Sequence, residues 1–182
     1  MPVTISAPPM RHFVFGYGSL IWRPGFEFVA AQNGLLRGAH RSLCIYSHHY
    51  RGTVERPGLV FGLVRGGSCR GRVFEVAPEA WEAVVAYLRE RELVTDVYKE
   101  AMRPVALDSG QSVSALTYVV DEAHIQYAGR LAVLEQMAMV REAAGIAGPN
   151  IDYVLNTVDH LKALGIRDRQ LEALTEQLRQ LS

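Results

Sequence analysis

The chain has 182 residues, 49% of them hydrophobic and 21% charged, which suits one globular domain with a proper core. Nineteen basic residues balance nineteen acidic ones, so no charge excess draws the protein to nucleic acid or to an anionic membrane. No apolar run reaches the roughly 20 residues that span a bilayer, and Cys44 and Cys69 are too few for a disulfide framework. The expectation is a cytoplasmic protein with two reduced thiols, a monomer or weak dimer.

Residues 1–11 are Pro-rich and read as a flexible N-terminal arm; residues 12–182 read as one domain. Short strands are expected at His12–Phe15, Phe26–Ala31, Leu35–Arg37, Arg41–Tyr46, Leu59–Val64 and Arg72–Val76, separated by turns such as Arg51-Gly52-Thr53 and Arg65-Gly66-Gly67. Helical period replaces alternation over 78–92, with Pro78 in the first turn. Two more strands follow, near Glu100–Leu107 and Val113–Val120. Helices are then expected over Gly129–Ala144, Ile151–Leu164 and Arg169–Leu181, with Asn150 and Asp168 as N-caps and Gly165 as a stop. Ile151, Val154, Leu155, Val158 and Leu161 form one apolar stripe. Strands first and helices afterwards give an α+β fold with a mixed or antiparallel sheet, closed into a small barrel.

Two stretches carry candidate chemistry. The first is Val14-Phe15-Gly16-Tyr17-Gly18-Ser19-Leu20-Ile21-Trp22-Arg23-Pro24, where a strand enters a turn with two glycines. Such a turn can aim its own N–H groups at an anion, here a carboxylate; the alternative is a plain tight turn. It is not a phosphate loop, a dinucleotide fingerprint or a nucleophile elbow: the lysine, the third glycine and the leading glycine of those motifs are all missing.

The second stretch is Trp81–Glu92. At roughly 100° per residue, Glu92 lies on the face of Trp81, Val84, Val85 and Leu88, whereas Glu90 points to solvent. An inward carboxylate is costly to ionise, and a raised pKa suits a general base near neutral pH. The alternative is that Glu92 pairs with Arg91 or Arg41, or that the helix ends before it. No H-E-x-x-H or C-x-x-C pattern occurs, so no metal is expected. His48-His49 reads as loop, and nothing beside Cys69 points to an activated thiolate.

Together these residues resemble the ChaC-type γ-glutamylcyclotransferases that act on glutathione. The resemblance begins at Val14–Pro24. It continues through Gly38-Ala39-His40-Arg41-Ser42-Leu43-Cys44, Tyr50-Arg51-Gly52-Thr53, Arg56-Pro57-Gly58 and Gly71-Arg72-Val73-Phe74. It ends in Arg91-Glu92-Leu93-Val94-Thr95 with Tyr98, Asn150-Ile151-Asp152-Tyr153-Val154-Leu155 and Leu164-Gly165, about residues 12–175 in all. It implies a small, partly closed β-barrel with flanking helices and Glu92 as the general base. Phe15, Gly16, Tyr17, Gly18, Ser19 and Leu20 would hold the γ-glutamyl group. Arg41, Tyr98, Tyr118 and Tyr127 are further candidate substrate contacts.

The Gly-Gly that many eukaryotic members carry before the tyrosine is replaced by Asp96-Val97, closer to bacterial members, where this loop varies. The implied reaction converts glutathione to 5-oxoproline and Cys-Gly with no cofactor. The rivals are the same chemistry on other γ-glutamyl amino acids or amines, and a non-catalytic γ-glutamyl-binding or regulatory protein.

Overall fold

A computed structural model describes residues 9–181; part of the expected N-terminal arm, residues 1–8, lies outside the described residues. Five strands close a barrel: β1 (His12–Gly16), β2 (Ala30–Ser47), β3 (Gly58–Val76), β4 (Tyr98–Leu107) and β5 (Ser112–Val120), in the order β1-β3-β2-β4-β5. All neighbours are antiparallel except β1 and β5, which close the barrel in parallel at Val14 and Leu116. The helices are α1 (Trp81–Glu92), α2 (Val133–Glu142), α3 (Asn150–Ala163) and α4 (Arg169–Gln180). The fold is thus α+β, as expected.

Several boundaries differ from the sequence expectation, among them the start of α2, at Val133 rather than Gly129. Phe26–Val29 is not a strand; Phe26 and Phe28 instead lay their rings against Phe74 of β3. The two short strands at 35–37 and 41–46 are one continuous β2. The glycines read as breaks are bulges: Gly38, Gly66 and Gly67 all have positive φ, and the β2–β3 register shifts between Arg37 and Ala39. Glycine takes that backbone without a Cβ penalty, so the long hairpin coils around the barrel instead of ending.

The helical expectations hold more closely. Asp168 caps α4 by accepting from the Leu171 N–H at 3.2 Å, and Gly165, at φ 71°, terminates α3. Asn150 is not an N-cap. It is the first residue of α3, fully buried, and its amide is spent on β3.

The core runs through the barrel and into the layer of C-terminal helices. Phe15, Leu36, Leu59, Phe61 and Leu63 share one cluster with Met137, Val140, Val154, Val158, Leu161, Leu171, Leu174 and Leu178. On the other side of β1, Val14, Leu20, Phe74 and Leu116 receive Val84 and Leu88 of α1. His12 of β1 stacks on Trp81 at 4.6 Å between ring centroids, fixing the start of α1. Its end is fixed by Arg89, whose guanidinium holds Glu100 of β4 with two bonds at 2.8 and 2.9 Å.

Candidate active site

β1 delivers the chain into the glycine turn. Phe15 is wholly buried in the barrel, and Thr117 of β5 donates its hydroxyl to the Phe15 carbonyl at 3.2 Å. After Gly18 the chain makes one 3-10 turn, Ser19–Ile21, closed by Ile21 N–H donating to Gly18 O at 3.0 Å and Arg23 N–H to Ser19 O at 2.7 Å. The N–H groups of Ser19 and Leu20, at the start of that turn, donate to no protein acceptor among the described residues. Leu20 turns its side chain into the cluster beneath α1.

Glu92 ends α1 with its side chain 17% exposed, while Glu90 is exposed. The helical period therefore sorted the two glutamates correctly. Burial pushes the Glu92 carboxyl above its ordinary value, and the adjacent Arg91 opposes the rise. Arg91 Nε stands 3.3 Å from Glu92 Oε1, so the ion pair weighed as an alternative is present, with Arg91 rather than Arg41.

Four tyrosine hydroxyls lie within the field of Glu92: Tyr17, Tyr98, Tyr118 and Tyr153. Burial raises the pKa of each, and the negative charge of Glu92 raises it further, so all four stay protonated donors. Tyr17 donates to the Tyr118 carbonyl at 2.7 Å, across the β1–β5 seam. Tyr98 donates to the Phe61 carbonyl at 2.7 Å, and the Phe61 N–H donates to the Tyr153 hydroxyl at 3.0 Å. Two phenols thus bind the N–H and the carbonyl of one β3 residue.

Tyr153 was not among the residues singled out for chemistry. Its ring stacks on Phe61, 5.4 Å between centroids, and the Arg51 guanidinium lies 5.5 Å from its centre. Trp22 meets it edge-on at 6.5 Å while donating to Thr157 at 3.0 Å. The α3 face turned inward carries Asn150, Tyr153 and Thr157 beside Val154, Val158 and Leu161. The stripe read from the sequence weighted only the apolar members and so missed the polar half.

Three candidates have other work in the structure. Arg41, 4% exposed, donates to the carbonyls of Tyr17 and Arg70 and pairs with Asp168 at 3.1 Å, so it braces the glycine turn from behind. The Tyr118 hydroxyl donates to Glu100 at 3.1 Å, inside the Arg89 network. The Tyr127 hydroxyl donates to exposed Glu122 at 3.3 Å and is not among the groups around Glu92. Cys44 and Cys69 are both buried and free; burial pushes the Cys44 thiol up to about 11, which leaves no thiolate at neutral pH.

The molecule therefore presents a largely covered carboxylate, a turn with free N–H donors and a set of protonated phenols. Depressions lined by Arg11, Phe13 and Gln111, and by Lys162, Glu172 and Arg179, contain none of these residues.

Comparison with known proteins places the chain among relatives. The chain is 31% identical over 169 residues to the glutathione-specific γ-glutamylcyclotransferase of Escherichia coli (strain K12), spanning 93% of this chain and 73% of that one. It is 29% identical over 174 residues to glutathione-specific γ-glutamylcyclotransferase 1 of Homo sapiens, spanning 92% and 78%. A crystal structure of a yeast γ-glutamyl cyclotransferase specific to glutathione superposes with a TM-score of 0.85 at 21% identity, covering 93% of this chain and 96% of that one, and so shares the fold. The family described as ChaC-like protein matches residues 12–181, and the chain belongs to that family.

Proposed function

We propose that this protein is a γ-glutamylcyclotransferase that converts glutathione to 5-oxoproline and Cys-Gly. The observation that carries the chemistry is Glu92: a carboxylate held largely out of water, raised above its ordinary pKa, among groups that stay protonated. The relatives in bacteria and mammals named for this activity support the choice of substrate.

The substrate supplies its own nucleophile. Glu92 takes a proton from the α-ammonium, and the freed amine nitrogen attacks the γ-carbonyl carbon. A new C–N bond closes the five-membered ring while the carbonyl electron pair moves to oxygen. The free N–H groups of Ser19 and Leu20 are the candidates to hold either the substrate carboxylate or that oxyanion. The oxyanion then collapses and the bond to the cysteinyl nitrogen breaks; the departing amine takes the proton returned by Glu92 and, as the ring nitrogen becomes the lactam N–H, the second ring-nitrogen proton, and leaves as an ammonium. Attacker and target belong to one molecule, so holding the γ-glutamyl chain curled is itself a large part of the rate.

The test is incubation with glutathione and detection of 5-oxoproline and Cys-Gly by mass spectrometry, with Glu92→Gln in parallel. Both products from wild type and none from the variant are expected. Product from both proteins removes Glu92 as the base. No product from either, followed by turnover of γ-glutamyl amino acids or amines, moves the substrate; silence there too leaves a binding protein.

A further inference from the structure

Arg91 is adjacent to Glu92 in sequence, yet neighbouring residues on a helix point about 100° apart and do not ordinarily meet. Here they meet because the guanidinium is held by something else. Its Nη2 donates to the Ser19 hydroxyl oxygen at 2.8 Å. Its Nη1 donates to the Arg23 and Pro24 carbonyls and to the Tyr87 hydroxyl, the last two at 3.2 Å. Nε is left 3.3 Å from Glu92 Oε1. The fork of one arginine spans the glycine turn, the Arg23-Pro24 segment that follows it and the end of α1.

We propose that Arg91 is a positioning residue that couples the cradle to the base, docking the 19–24 segment on α1 while holding the Glu92 carboxylate in place. The inference rests on the reading of Glu92 as general base. It has a consequence for Ser19. With its oxygen accepting from Arg91, the Ser19 hydroxyl hydrogen has no acceptor among the described residues. Arg91 thereby makes Ser19 a donor beside the two free N–H groups, which is the polarity an anionic substrate group requires. The other ionisable groups that feel the Glu92 charge are phenols: Tyr17 from the turn, Tyr98 from β4, Tyr118 from β5 and Tyr153 from α3. None supplies positive charge, so the Arg91 guanidinium, 3.3 Å away, is the cation that favours the ionised form of Glu92 against its burial.

The experiment is the pH profile of kcat/KM for 5-oxoproline release from glutathione by wild type, Arg91→Met, Arg91→Lys and Glu92→Gln, with thermal melts to verify folding. In Arg91→Met the acid limb moves up by about one pH unit, because the opposite charge beside the base is gone. In Arg91→Lys the limb stays near wild type while KM rises by about fivefold or more, since one ammonium cannot reach Ser19 and both carbonyls at once. A folded Arg91→Met whose limb coincides with wild type overturns the proposal. Should Arg91→Met fail to fold, Arg91→Lys with KM within about twofold of wild type overturns it. Glu92→Gln separates the two levels: turnover by that variant removes the base itself, whereas an inactive Glu92→Gln with an unmoved Arg91→Met limb removes only the coupling.

Discussion

Asn150 and Leu59 bind each other as two strands would: the Leu59 N–H donates to Asn150 Oδ1 and Asn150 Nδ2 donates to the Leu59 carbonyl, both at 2.8 Å. A side-chain amide at the head of α3 thus completes the hydrogen bonding of buried backbone in β3. Asn150→Ala leaves both backbone groups unpaired in a dry site and should destabilise the protein by about 3 kcal/mol. Asn150→Asp keeps the acceptor but loses the donor and buries a charge, so it should be no better. Urea unfolding midpoints check both variants.

Glu92→Gln should lower turnover by about a thousandfold, within the range supplied by a positioned proton carrier. It should also make the protein more stable at neutral pH. The native pKa of Glu92 lies above its unfolded value, so in the window between them the native state binds the extra proton and stability falls as pH rises. Above the native pKa the wild type carries that full penalty and the glutamine variant does not. Melting temperatures of the two proteins should converge as pH falls below the unfolded carboxylate value.

The phenols should not be equivalent. Tyr153→Phe removes the acceptor of the buried Phe61 N–H and a hydroxyl close to Gly18; it should lose about 1–3 kcal/mol of stability as well as activity. Tyr127→Phe removes a hydroxyl that meets exposed Glu122 and should leave kcat/KM within about twofold of wild type. Paired melts and initial rates distinguish them.

Two glycines near the turn should part in the same way. A Cβ on Gly71 would run into the Gly16 carbonyl and stand 2.7 Å from the Phe15 ring, so Gly71→Ala should cost about 3 kcal/mol or more. A Cβ on Gly18 would meet Phe61 Cβ at 3.4 Å and the Tyr153 hydroxyl at 3.5 Å, ordinary contacts. Gly18→Ala should therefore fold and lose activity, because its methyl takes space in the cradle. Melting temperature against turnover shows the split.

What the sequence discloses follows from the range of each interaction. Glu92 and Glu90 could be told apart because helical period is local and α1 continues to Glu92. The cap at Asp168 and the stop at Gly165 are local too. The continuity of β2 was hidden because a glycine that breaks a strand and one that bulges it look alike until the partner strand is known. Asn150 and Tyr153 were hidden for another reason. Their partners, Leu59 and Phe61, are 91 and 92 residues away, and no pattern within α3 reveals what a buried polar group will meet. The anchors of Arg41 were hidden for the same cause: they are the Tyr17 and Arg70 carbonyls and Asp168, on three separate elements.

The parallel seam between β1 and β5 joins Val14 to Leu116, and the Tyr17–Tyr118 hydrogen bond joins residues 101 apart. Closing so long a loop demands the entropy of everything between, and such contacts slow folding. The β2–β3 hairpin and the β4–β5 hairpin can zip from their own turns, but the strand that carries the glycine turn must wait for both. On refolding, amide-exchange protection in the two hairpins should therefore recover before catalysis, with turnover returning only as β1 is sealed against β5.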